Sequence, residues 1–148
     1  MTKLAEAIRR AHDRELELAA AFAAVADRHP DEPDVFHLGH TFAKEATRHA
    51  SRLRPFCETG KGAAARAASN GSGPGGSAGP SLLDDLCDLF VLTQRCWIEE
   101  TAVRQAALAK RDRELLDAVE TSLAETAAQA KWERTRIKTT APQALTTP

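Results

Sequence analysis

The sequence lacks several features that would place it in a functional class. It contains no tyrosine, and aromatic residues make up only 5% of its 148 residues. Lys and Arg number 20 and Asp and Glu number 21, which gives a formal net charge of −1 at pH 7. Because electrostatic binding to nucleic acid or to an anionic membrane needs a surplus of basic residues, we expect neither as a partner.

Long apolar runs are also missing. Charged residues interrupt every hydrophobic stretch well before the roughly 18 residues that a membrane-spanning helix needs, so we expect no span. The first residues, Met-Thr-Lys-Leu-Ala-Glu, contain no apolar core of the kind found in signal peptides. We therefore expect a cytoplasmic protein.

The cysteines do not form a recognisable set. Cys57, Cys87 and Cys96 are too few, and odd in number, for a disulfide framework, and no Cys-x-x-Cys motif occurs. On one helix Cys87 and Cys96 would lie about 13 Å apart, whereas the Cα atoms of a disulfide lie within about 7 Å. We interpret the three as small hydrophobic residues in a reducing compartment.

Glycine is almost confined to one segment. Seven of the eight glycines lie between Gly60 and Pro80, and this composition predicts a flexible, disordered linker over residues 59–80. Residues 81–141 contain neither glycine nor proline. A single helix of that length would be about 90 Å long, so we expect one reversal, near Lys110–Arg113, with Asp112 capping the next helix.

Start and stop signals divide the rest of the chain into four helices. His29–Pro33 is a proline-containing turn, and Ser81 and Asp84 have the spacing of a capping box. We predict helices over residues 3–28, 33–56, 82–110 and 113–138, forming a single domain over residues 1–138. The tail, residues 139–148, is predicted to be disordered.

Inward-facing positions recur at spacings of three and four in each predicted helix, as expected for helices that pack side by side. In the fourth helix the predicted inner positions are Leu116, Val119, Leu123, Thr126, Ala130, Glu133 and Ile137. The sequence therefore predicts an all-α four-helix bundle of two antiparallel helical hairpins. The Gly/Ala/Ser-rich linker, able to extend to about 60 Å, permits a crossover connection between the hairpins.

Carboxylates and a histidine interrupt these inner positions. Counted from the predicted turns, one or more such residues of every helix lie at a similar height in the bundle: Glu15, Glu45, His49, Glu100 and Glu125. A buried carboxylate without a partner costs several kcal/mol, so such a layer holds a metal, another cation or matching arginines. These five residues are the candidate metal ligands.

This arrangement resembles the ferritin-like superfamily, which includes bacterioferritin and rubrerythrin. The resemblance implies an iron cofactor in a di-metal site, bound by single glutamates of two helices and a Glu-x-x-His pair from each of the others. Glu15 and Glu100 (or its neighbour Glu99) match the single glutamates. Glu45 with His49 resembles one pair, with the histidine four residues after the glutamate instead of three. Glu125 with Gln129 matches the other pair, with Gln129 in place of a histidine.

Two further expectations accompany this resemblance. Ferritin-like bundles commonly pair side by side, so we expect a homo-oligomer, a dimer or larger. The alternative function is a metal-free helical scaffold or adaptor that acts through contacts with a protein partner, because fold alone does not decide function. The sequence contains no Ser-His-Asp arrangement, phosphate loop or nucleotide fingerprint, and it assigns no catalytic residues.

Overall fold

The structure, a computed structural model, describes residues 2–57 and 81–148. These residues form α1 (Lys3–Arg28), α2 (Pro33–Leu53), α3 (Leu82–Lys110) and α4 (Arg113–Thr146), and a short 3-10 helix, Arg54–Phe56, follows α2. No β-strand occurs in these two ranges, which confirms the all-α class. None of the described helices combines the length and apolar character that a membrane span requires. The predicted linker over residues 59–80 lies outside the described residues.

Side-chain caps start three of the helices. The Thr2 hydroxyl accepts a hydrogen bond from the Ala5 amide, the Ser81 hydroxyl accepts one from the Asp84 amide, and the Asp112 carboxylate accepts one from the Leu115 amide. Each cap satisfies a donor that the first turn of a helix leaves unpaired. Arg111, with φ of 54°, ends α3 in the left-handed conformation and so reverses the chain into α4.

Two helix ends differ from the prediction. The second helix was expected to reach residue 56, but α2 ends at Leu53, because Pro55 cannot continue the α-helical hydrogen-bond pattern. The last helix was expected to end at residue 138, but α4 continues through Pro142 to Thr146. Thr140 is buried, and Arg136 Nη1 donates to its hydroxyl at 2.6 Å, which holds this added turn in place.

Each helix packs against two others. α1 lies against α2 and α3, and α4 lies against α3 and α2. The end of α1 meets the start of α3 where Arg28 donates to Asp85, while Arg14 contacts Glu99 further along, so these helices run antiparallel. α2 and α4 are also antiparallel, as shown by the ion pairs from Arg136 to Asp34 and from Arg52 to Glu125.

The apolar core consists of two clusters. One contains buried Leu18, Phe22, Val35 and Leu89 among its members, and the other contains Ile8, Leu53, Val103 and Leu115. Along each of α1, α2 and α3, one buried ionisable residue lies between the two clusters. Glu15, His49 and Glu100 occupy this middle level, and all three are fully buried.

Candidate metal centre

Three ionisable side chains from three helices meet at the middle level of the core. Glu15 of α1, His49 of α2 and Glu100 of α3 each have 0% exposed surface. Each offers one potential ligand atom, and these three atoms all lie within 4.8 Å of one another. They form the candidate metal centre.

Helical spacing explains why these side chains point inward. Glu15 lies between the buried residues Ala11 and Leu18 of α1, at separations of four and three residues. His49 stands between Ala46 and Leu53 of α2, and Glu100 between Cys96 and Val103 of α3, at separations of three and four. Because residues three and four apart share a face, the apolar neighbours carry the ionisable groups into the core.

Most polar atoms of the centre lack a hydrogen-bond partner. Within the described residues, five atoms make no hydrogen bond: both carboxylate oxygens of Glu15, both ring nitrogens of His49 and Oε1 of Glu100. His49 Nδ1 lies 3.3 Å from Glu15 Oε2, so these two groups are in contact. The other oxygen of Glu100 accepts a hydrogen bond from the Thr126 hydroxyl at 3.3 Å. Each unsatisfied buried group costs about 1–3 kcal/mol, so the centre has unused binding capacity.

Electrostatics oppose charge on these groups when no cation is present. Burial raises the pKa of Glu15, and burial together with the neighbouring Glu15 carboxyl raises the pKa of Glu100. Burial lowers the pKa of His49, although Glu100 and Glu125 act against this change. The imidazole is therefore neutral near pH 7 and has a free lone pair, which is the form that binds a metal.

Glu125 lies at the edge of the centre. Its Oε1 is 3.6 Å from His49 Nε2, and 24% of its side chain is exposed. The same carboxylate faces Arg52 at 3.5 Å and Arg48 at 3.7 Å. Glu125 is thus held between the buried histidine and two arginines of α2.

Glu45 and Gln129 pair with each other. Gln129 Nε2 donates to Glu45 Oε2 at 2.9 Å, so the Glu45 carboxylate lies outside the group formed by Glu15, His49 and Glu100. Glu45 precedes His49 by four residues, about 6 Å along the helix axis, and this rise brings it level with Gln129. Glu99, the alternative to Glu100, faces Arg14 at the surface of the α1–α3 contact.

The sequence analysis assigned no role to Glu133, a further buried carboxyl group outside the centre. Glu133 of α4 is fully buried, and its Oε2 accepts a hydrogen bond from the Thr93 hydroxyl at 2.9 Å. Burial raises the pKa of Glu133 to about 8. The sequence did contain a signal for its burial, because Glu133 is one of the predicted inner positions of the fourth helix.

Cys96 is buried beside the centre. Burial, together with the Glu15 and Glu100 carboxylates, raises the pKa of its thiol. Its Sγ donates to the Arg14 carbonyl oxygen at 3.6 Å, and it does not belong to the group formed by Glu15, His49 and Glu100.

Comparison with known proteins gives no family for this chain. No protein-family model matches it, and no curated protein matches it. The arrangement of the buried side chains is therefore the basis for a functional proposal.

Proposed function

We propose that this protein is a ferritin-like helical bundle that binds one divalent metal ion through Glu15, His49 and Glu100. The observation that carries the proposal is the meeting of two carboxylates and one imidazole, fully buried, with candidate ligand atoms within 4.8 Å of one another. Iron, manganese and zinc accept mixed oxygen and imidazole ligands. A cation would also use the polar atoms that lack partners among the described residues.

Each side chain has a distinct part in this proposal. Glu15 and Glu100 provide negative charge that offsets the charge of the ion, and His49 provides a neutral nitrogen. Thr126 donates a hydrogen bond to Glu100 Oε2 and so orients that carboxylate. Glu125, which is partly exposed to solvent and close to His49 Nε2, is suited to be a fourth ligand or to guide an entering cation. A bound iron ion would supply electron transfer or Lewis-acid chemistry at this point.

A single ion fits the residues better than the two that the resemblance implies. A second ion would need Glu45 and Gln129, which already form a hydrogen bond of 2.9 Å with each other. A carboxamide is also a weaker ligand than the histidine it replaces. We therefore propose a centre for one ion.

The proposed bundle consists of two antiparallel hairpins, α1–α2 and α3–α4, joined in a crossover arrangement. The contacts of α1 with α3 and of α2 with α4 support it. Ion pairs between opposite ends, such as Arg28 with Asp85, support antiparallel neighbours. Up-down-down-up order follows, which is the order of ferritin-like folds.

A metal titration tests the proposal. The chain is stripped with a chelator, and Fe(II), Mn(II) or Zn(II) is added without oxygen while binding and melting temperature are measured. We expect one equivalent to bind and the melting temperature to rise, because a ligand at about 100 times its Kd stabilises the folded state by about 2.7 kcal/mol. Glu15→Gln and His49→Ala should each remove this rise.

The matched control is Glu99→Gln. Glu99 is adjacent to Glu100 but pairs with Arg14 outside the centre, so this variant should keep the metal-dependent rise in melting temperature. Equal melting temperatures with and without each metal, in the unmutated chain, would contradict the proposal. That result would favour the metal-free scaffold.

A further inference from the structure

The outward side of α3 is unusually apolar. Val91 is 69% exposed, Ile98 57%, Trp97 42% and Leu108 42%, so four of the five large exposed hydrophobic side chains among the described residues belong to this helix. Val91 and Ile98 are seven residues apart and share one side of the helix, whereas Trp97 and Leu108 lie about 100° further around it. Single exposed apolar residues are ordinary on protein surfaces, but two large ones on the same side of one helix indicate an interaction surface.

The side of α3 that carries Val91 and Ile98 is free of charged residues along the helix. Between residues 87 and 109 the outward positions at spacings of three and four carry no charge, and they are Cys87, Val91, Gln94, Ile98, Ala102, Gln105 and Ala109. We call these seven residues the outer α3 face. By contrast, the exposed positions of α2 include Asp34, His37, Lys44 and Arg48. α3 therefore has an uncharged side toward solvent in addition to the side that it turns to the core.

Charges of opposite sign stand at the two ends of the outer α3 face. Asp84 and Asp88 are exposed near its start, and Lys110 is exposed at its end. Asp88 and Lys110 are 22 residues apart, about six helical turns, so they lie along the same edge of the face. In the part of the chain that the structure describes, no ion pair uses Asp88 or Lys110.

We propose that the outer α3 face binds the same face of a second copy of this chain, with the two α3 helices antiparallel about a two-fold axis near Ile98. At 1.5 Å per residue, Asp88 and Asp84 lie about 15 and 21 Å before Ile98, and Lys110 lies about 18 Å after it. In the antiparallel pair, Lys110 of the second copy therefore lies between Asp84 and Asp88. A two-fold dimer is the commonest symmetric assembly.

The same charges disfavour a parallel pair. In a parallel two-fold pair, Asp84 and Asp88 would stand at the height of the same residues of the second copy, and Lys110 at the height of the other Lys110, so no opposite charge would face them. The two arrangements also place Cys87 differently. In the parallel pair, Cys87 of one copy would lie at the height of Cys87 of the other. In the antiparallel pair, the two thiols would be about 33 Å apart along the helix axis.

Measurement of mass tests the surface. We expect light scattering at about 50 μM to report a dimer of the 16.0 kDa chain, and Ile98→Glu to give a monomer with unchanged helix content. The matched control is Leu145→Glu in α4, because Leu145 is 74% exposed but lies outside the outer α3 face, and this variant should stay dimeric. A monomeric unmutated chain, or a dimeric Ile98→Glu variant, would overturn the proposal.

Charge exchange and cross-linking test the antiparallel arrangement. Lys110→Asp should weaken the dimer about tenfold, since two ion-pair clusters are lost by symmetry, and adding Asp84→Lys and Asp88→Lys should restore it. Under mild oxidation, Ile98→Cys should form a disulfide between copies, whereas the unmutated chain should form none through Cys87. A Cys87–Cys87 cross-link, or no restoration by the charge exchange, would overturn it.

Discussion

At the scale of single residues, Glu133 shows how burial alone changes a carboxyl group. Its pKa is raised from 4.5 to about 8, and its one hydrogen bond comes from Thr93. The folded state thus keeps a proton that the unfolded chain loses near pH 4.5. Because the folded state binds more protons in this interval, the contribution of Glu133 to stability falls as the pH rises from about 4.5 to 8.

Glu133→Gln should remove this pH dependence. We expect the free energy of unfolding at pH 8 to rise by about 2 kcal/mol, since glutamine needs no proton to remain neutral, and to change little at pH 4. Urea unfolding at pH 4 and at pH 8 measures the two changes in the free energy of unfolding. Asp117→Asn at the exposed surface of α4 is the control and should change stability equally little at each pH. A gain that does not depend on pH would contradict the assignment of a protonated Glu133.

Part of the candidate centre could be predicted from the spacing of residues in the sequence. The spacing of three and four residues selected Glu15, His49 and Glu100 as inward-facing, and the structure brings them together. The pairing of Glu45 with Gln129 could not be predicted from spacing, because it depends on the relative height of two helices that are far apart in sequence. A helical pattern gives the direction of a side chain but not its partner.

At the scale of elements, the close approach of α1 and α2 depends on Gly39. A Cβ atom at this position would lie 2.9 Å from Ala26 Cβ and 3.2 Å from the Phe22 carbonyl oxygen. Neither atom belongs to a flexible side chain, so the helices would have to move apart. Packing, rather than backbone freedom, is therefore the reason for glycine within α2.

Gly39→Ala should consequently destabilise the protein. Alanine is favoured over glycine in helices by about 1 kcal/mol, but overpacking costs about 1–3 kcal/mol, so we expect a net loss of about 1 kcal/mol. Thermal unfolding measures it, and Ser51→Ala, at an exposed position of the same helix, should change stability by less than about 0.5 kcal/mol. A more stable Gly39→Ala variant would show that the two helices can separate without loss.

The inner face of α4 was predicted in part. Val119, Thr126 and Glu133 are buried as predicted. Leu115, Ser122 and Gln129 are buried in place of their neighbours Leu116, Leu123 and Ala130. Hydrophobicity favours Leu123 over Ser122 and Ala130 over Gln129, and it does not distinguish Leu115 from Leu116. The observed choice follows from contacts with other helices, in which Ser122 meets Arg52 and Gln129 meets Glu45.

Helical spacing does not identify the buried side of α3. Trp97 follows the buried Thr93 by four residues and precedes the buried Glu100 by three, yet it is 42% exposed and its neighbour Cys96 is buried instead. α3 has apolar residues around most of its circumference, so periodicity alone could not select its buried side. The same property produces the outer α3 face, which a search for one apolar side per helix overlooks.

At the scale of the whole molecule, the fold is divided by a polar layer. Apolar clusters lie at both ends, and Glu15, His49 and Glu100 lie between them. The sequence predicted this layer from the height of residues in each hairpin. It could not predict which helices of different hairpins adjoin, because contacts such as Arg28–Asp85 join residues 57 positions apart.

The layer has a consequence for the covalent connection between the hairpins. Each hairpin supplies two of the four groups around the centre, Glu15 and His49 from the first and Glu100 and Glu125 from the second. The polypeptides 1–57 and 81–148, made as separate chains, should therefore reconstitute the fold on mixing, because each exposes an inner face that only the other covers.

Reconstitution should also depend on metal. Circular dichroism should show little helix in each fragment, more in the mixture, and a lower fragment Kd when Mn(II) is present. Fragments carrying His49→Ala should combine with an affinity that does not respond to Mn(II), and fully helical separate fragments would contradict the idea. A single ion would then control whether two independent polypeptides behave as one protein, which makes this chain a natural template for a metal-gated split reporter.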